Sequence, residues 1–251
     1  MTKLLFILLL LAMGCELPIG MRIINYYNMK ITEISKNAQT VFDELHKLEE
    51  GDKILISFEY GENAKSEIEP MSIALFQHMF SKGVKVYIIA LWPEGALSAT
   101  NALNVIHSSE LFNIKENQDY VNLGYKPGGP IIIRGIASDI RSIYKQDVNL
   151  NSINDIEIMI GINSIRDFDL VFDLSAGVPG NAEWVQFACD EYNVPLLSGC
   201  TSVMKADSSP YVKSGQIKGM LAGLSEAIEY KNLVEKYLKN RQIEKESSYE
   251  H

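Results

Sequence analysis

Apolar residues recur at helical spacing between Thr32 and Leu48, at Ile34, Ala38, Val41, Phe42, Leu45 and Leu48, and Gly51 stops the run. The period then changes. Residues 53–58, "KILISF", form a continuous apolar run of strand length. A second helical stripe follows at Ile68, Met71, Leu75 and Met79, with Pro70 near its start and Gly83 at its end. The same exchange repeats along the chain. Residues 84–91, 119–125, 169–174 and 194–199 read as strands. Helices are predicted over 97–107, from Pro130 with Ile132, Ile136, Ile140 and Ile143 on one side, from Asn181, and from Pro210 to Tyr237. Residues 145–168 show no sustained period and read as a long connection with a short helix or two.

A helix followed by five strand–helix units, with strands apolar on both sides, predicts an α/β fold. Its form is three-layer and Rossmann-like: a mostly parallel, five-stranded sheet with helices on both faces. In such a sheet ligands bind beyond the carboxyl ends of the strands. Those ends are "EYGE" (59–62), "WPEG" (92–95), "YKPGG" (125–129), "LSAGVPG" (174–180) and "SGCTS" (198–202).

The stretch Tyr125-Lys126-Pro127-Gly128-Gly129-Pro130 draws most attention. A glycine-rich loop opening a helix aims backbone N–H groups at one point, where the helix dipole favours an anion. Lys126 adds a cation and Arg134 lies one turn inside. Lys126, Gly128, Gly129 and Arg134 are therefore anion-binding candidates. The bland alternative is a turn, in which Pro127 fixes φ and Gly128 takes the positive φ of a type II turn; Pro130 also removes one N–H from any cradle. Asp173 and Ser175 alternate at a strand end and point the same way. They are the candidates for catalysis, although no G-x-S-x-G and no strand-end histidine supports them; the competing role is hydrogen bonding to nearby loop amides. Glu59, Glu62 and Glu94 at other strand ends read as solvated loop charges rather than a metal or acid–base pair.

Composition sets the outer limits. The 251 residues carry a net charge of −9, with 47% hydrophobic and 22% charged residues, so the class is globular and not a nucleic-acid binder. Neither G-x-x-x-x-G-K-[ST] nor G-x-G-x-x-G is present, so no cofactor is expected. Cys15, Cys189 and Cys200 form no C-x-x-C, and the four histidines are scattered, so no metal site is expected either. A Cys189–Cys200 disulfide stays open for an exported domain. Gly215, Gly219 and Gly223, four apart in the last predicted helix, suggest close packing against the sheet or against a second copy in a homo-oligomer.

Residues 1–20, "MTKLLFILLLLAMGCELPIG", are an address rather than part of the fold. Lys3 precedes an eleven-residue apolar core, short for a membrane span. The readings are a signal of lipoprotein type with Cys15 lipidated, a cleaved signal, an uncleaved anchor, or a start at Met21 or Met29 that leaves a soluble product. The expected organisation is the 1–20 leader or anchor, one α/β domain over 31–238, and a charged, disordered tail over 239–251. Membrane association on the extracytoplasmic side is the expected location.

The segments "DKILISFEYG", "KGVKVYIIALWPEG", "DYVNLGYKPGG", "LVFDLSAG" and "SGQIKGMLAGLSEAIEY", with Leu17-Pro18-Ile19 ahead of them, together resemble an uncharacterised prokaryotic family of membrane-anchored α/β proteins. The resemblance covers about residues 17–235. It implies architecture and membrane association and no established activity. Two functions are compatible with the whole sequence. One is a membrane-tethered binding or assembly module with an anion-compatible pocket at the strand ends. The other is a hydrolase or transferase using Asp173, Ser175 and Lys126 in one cleft.

Overall fold

In the computed structural model, residues 34–248 are described apart from residue 110, with side chains described as far as residue 244. The proposed leader and lipidation site at Cys15 lie outside these residues.

The helical stripe forms α1, Lys36–His46, capped by the Ser35 hydroxyl accepting from the Ala38 N–H at 3.2 Å. Then follow β1 (Lys53–Glu59), α2 (Lys65–Lys82), β2 (Lys85–Ala90), α3 (Pro93–His107) and β3 (Tyr120–Tyr125). The Ile132/Ile136/Ile140 stripe forms α4, Pro130–Ile143, with a kink at Asp139. The 145–168 connection holds two short 3₁₀ turns, Glu157–Met159 and Ile165–Asp167. The second half is β4 (Leu170–Ser175), α5 (Asn181–Trp184, running on through a π-helical turn at Val185–Cys189), β5 (Leu196–Cys200), α6 (Lys205–Lys213), β6 (Ile217–Ala222) and α7 (Gly223–Ser248).

All six strands are parallel, in the order β3-β2-β1-β4-β5-β6. The chain winds outward from β1 to one edge, returns through the 145–168 connection, and winds from β4 to the other. Strand residues of one parity, such as Ile56, Ile88, Phe172 and Leu197, pack with α1, α2, α3 and α7. Those of the other parity, such as Leu55, Tyr87 and Val171, pack with α4, α5 and the 153–168 segment. Both faces are dry, as apolar parallel strands require.

The sixth strand corrects the expectation of five. Residues 217–222 do not belong to a long final helix: Gly215 turns the chain at φ 81°, Gly219 lies inside β6, and Gly223 at φ 78° releases the chain into α7. There is consequently no glycine-striped helix face to mediate oligomerisation. Gly219 serves a different close approach, since a Cβ there would meet the Val41 and Leu197 side chains at 3.0 and 3.2 Å. The final helix also continues to Ser248, through residues expected as a tail. Cys189 and Cys200 are both buried free thiols, so the disulfide is not formed. His78 is fully buried; it bonds His46 at 3.2 Å and the Tyr230 hydroxyl at 3.1 Å, and burial drives its pKa down to about 3. No helix among the described residues is long and apolar enough to cross a membrane.

The β1–α3 contact gives a test of this packing. Alanine in place of glycine inside a helix ordinarily stabilises by about 1 kcal/mol. At Gly95, however, a Cβ would stand 2.2 Å from the Phe58 carbonyl oxygen. Gly95→Ala is therefore expected to destabilise by about 1–3 kcal/mol in urea denaturation; a stabilised variant would contradict the α3–β1 packing.

Candidate functional site

The winding reverses between β1 and β4, which pair along their whole length, with Ser57 level with Asp173 and Glu59 level with Ser175. β5 continues the register, Asp173 lying level with Ser198. Parity puts all five polar side chains on the α4/α5 face, at the carboxyl ends of the strands. Each is completely buried.

They bond to one another. The Ser175 hydroxyl donates to Asp173 Oδ2 at 2.7 Å, and Ser198 donates to the same oxygen at 3.2 Å. The Asn181 amide, at the start of α5, donates to Ser198 at 3.2 Å and to Ser208 of α6 at 2.8 Å. On β1, Glu59 Oε1 accepts from the Ser57 hydroxyl and, at 3.3 Å, from the Trp184 indole N–H. One oxygen of each acid, Glu59 Oε2 and Asp173 Oδ1, has no donor among the described residues. The two acids are near enough for each to act on the other's ionisation.

Two buried carboxylates cannot both be ionised at contact distance without a counter-charge. Burial pushes Glu59 well above the usual carboxylate range, and the Asp173 charge pushes it further. Burial also raises Asp173, while Glu59 beside it and the Ser175 and Ser198 hydroxyls hold it down. Burial and the Asp173 charge thus favour a protonated Glu59 next to an Asp173 that accepts from two hydroxyls. The Asp173 charge extends outward: it reinforces the upward shift that burial imposes on the Cys189 and Cys200 thiols.

This arrangement departs from the sequence expectations in two ways. Asp173 and Ser175 bond each other and Ser198 rather than loop amides. Glu59 is not a solvated loop charge but half of a buried pair, whereas Glu62 and Glu94 are exposed. Lys126 is not in this cluster. It follows β3 at the sheet edge, three strand spacings from Ser175, roughly 14 Å. Its ammonium sits 5.4 Å from the centre of the Tyr144 ring. Gly128 and Gly129 adopt positive φ, 132° and 52°, and Gly129 caps α4. Arg134 leans over Phe187 at 4.7 Å. The structure thus brings Asp173 and Ser175 together with Glu59, and keeps Lys126, Gly128, Gly129 and Arg134 as a separate group around the head of α4.

The two described clefts, of about 320 and 420 Å³, lie at the opposite, amino ends of the strands, around Val84 and Asp119 and around Lys85 and Gln118. The chain matches no protein-family model, no curated protein and no solved structure.

The buried Glu59 has a thermodynamic signature. Its pKa is raised in the folded state, so its contribution is complete below the ordinary glutamate pKa and is lost as pH rises toward the folded value. A glutamine in its place stays uncharged at every pH. Relative to Glu59→Gln, the wild type is expected to lose about 1.4 kcal/mol of stability per pH unit above pH ~4.5 until Glu59 ionises. Denaturant titrations from pH 5 to 9 measure it; a constant difference between the two proteins would rule out a protonated Glu59.

Proposed function

We propose that the protein is a membrane-tethered, Rossmann-like α/β binding module, and that its ligand presents an anionic group to the head of α4. The observation that carries the anion preference is the distribution of charge along the rim. Five of the six helices that follow a strand carry an acid in their first turn: Glu67 in α2, Glu94 in α3, Glu183 in α5, Asp207 in α6 and Glu226 in α7. Three of these acids already take rim amides. Glu183 accepts from Gly180 N–H at 2.8 Å, Glu226 from Ala222 N–H at 2.7 Å and Glu67 from Ser202 N–H at 2.8 Å. Only α4 has none.

A helix start without an acid keeps its partial positive charge for a ligand. The Ile131 and Ile132 N–H groups are taken by the Gly128 and Gly129 carbonyls at 3.3 and 3.0 Å, so the attraction comes from the dipole and the side chains more than from those amides. Rim cations elsewhere are neutralised, Lys65 by Glu62 and Glu69 and Lys205 by Glu226. Lys126 and Arg134 contact aromatic rings and form no ion pair among the described residues. The apolar core of residues 4–14 supports the tether.

A binding role is favoured over hydrolysis or group transfer because the nucleophile candidate is occupied. Ser175 is sealed from solvent, commits its proton to Asp173, and has neither a neutral base nor Lys126 within reach.

Thermal denaturation of the full chain with and without inorganic phosphate tests the reading. Phosphate well above its Kd is expected to raise Tm by several degrees. Lys126→Ala should remove the shift, since a charge-assisted bond is worth about 1.5–3 kcal/mol. A shift that survives this substitution, or no shift with any small anion, would defeat the assignment.

A further inference from the structure

The opposite, amino ends of the strands hold a second feature that the rim does not use. α2 and α7 both follow strands, run side by side down the same face, and end near the amino ends of β2 and β3. Between their ends and the residues before β3 lies the cleft of about 320 Å³. That volume is at the lower end of the range for small-molecule sites. Its walls include Phe80, Phe112, Ile114 and Leu238, and the apolar Leu111 at its lip is 57% exposed.

Two cations face this space, Lys82 in the last turn of α2 and Arg241 in α7. Lys82 is well placed against the dipole of α2, which accounts for a base there, whereas Arg241 lies ahead of the last turn of α7. The dipole does not account for placing the two together. They are close enough to repel: burial first, and then the Arg241 charge, lower the Lys82 pKa, while Glu49 and Asp52 act the other way. Neither Lys82 nor Arg241 forms an ion pair among the described residues. Of the carboxylates lining the cleft, Asp119 is engaged by Lys85 at 2.9 Å, and Glu50 lies along Gly83.

We propose that this cleft binds a small amphipathic anion, with its carboxylate or phosphate held between Lys82 and Arg241 and its apolar body against Phe80, Phe112 and Leu238. An anion there relieves the repulsion of the two cations, and an apolar body covers side chains that otherwise face water. The ligand is a soluble one rather than a lipid, since a cleft of about 320 Å³ suits a small molecule.

Calorimetric titration of the full chain with phenyl phosphate, octanoate and inorganic phosphate tests the proposal. Phenyl phosphate or octanoate is expected to bind, with inorganic phosphate at least about tenfold weaker for want of the apolar body. Arg241→Gln and Lys82→Gln should each weaken binding by about tenfold. All these titrations are run in the full chain carrying Lys126→Ala, so that anion binding at the head of α4 does not contribute to them. No binding at millimolar ligand, or binding indifferent to both cleft substitutions, overturns the site. Arg241-dependent attachment to phosphatidylglycerol vesicles without binding of the soluble probes overturns the choice of ligand.

Discussion

The pairing of β1 with β4 is the contact on which the rest of the molecule depends. These strands are 110 or more residues apart in sequence, and their pairing joins two outward windings into one sheet. It decides which helices cover which face, because each winding places its helices on its own side. It also sets Glu59 beside Asp173. A carboxyl at the end of an edge strand could reach water, but one at the centre of a six-stranded sheet cannot. Keeping Glu59 protonated is how this pair meets burial without a counter-ion. The surrounding donors, Ser57, Trp184, Ser175 and Ser198, satisfy one oxygen of each acid. Such a network costs stability compared with an apolar core and fixes the register of three strands against a slip, since a shift of one residue would bury both acids among side chains with no donors.

Much of this architecture is legible in the sequence because it is local. Continuous apolar runs bounded by glycine identify five strands, and the isoleucine spacing after Pro130 identifies α4 despite its β-branched residues. β6 escapes that reading for a definable reason. Gly215, Gly219 and Gly223 repeat every four residues, and that spacing matches a helix more readily than the short run "IKGMLA" matches a strand. The stronger signal is that glycine flanks the run on both sides, which suits a buried strand better than a helix that would lose about 1 kcal/mol at each.

The buried pair is half legible. Asp173 and Ser175 stand out as alternate polar positions in an apolar strand. Ser57 and Glu59 show the same alternation at the end of β1, yet Glu59 reads most simply as a loop charge alongside the exposed Glu62. The signal is there: in a sheet covered on both faces, a polar residue on strand parity has nowhere to go but inward. What no local pattern supplies is the partner. Glu59 meets Asp173 only because β1 neighbours β4, and His78 meets Tyr230 only because α2 packs on α7. The separation of Lys126 from Ser175 has the same origin, since strand order and not sequence distance sets the span of the rim.

Charge along the strand axis links the two proposed sites. Parallel strands force every following helix to start at the rim and end at the base, so their dipoles add with one sense. The side chains answer that field. Acids occupy five of six first turns at the rim, while last turns carry His46, Lys82, His107, Arg141 and Lys213 at the base. A chain of net charge −9 thereby gathers its bases at one edge. An anion can then be attracted in two places for opposite reasons: at the head of α4, where the answering acid is missing, and at the base, where Lys82 and Arg241 outnumber what one dipole end requires. The helix field alone predicts neither location. Each is an exception to the pattern that the other helices set, and an exception in charge placement that brings no apolar gain for folding is the kind of feature a ligand explains.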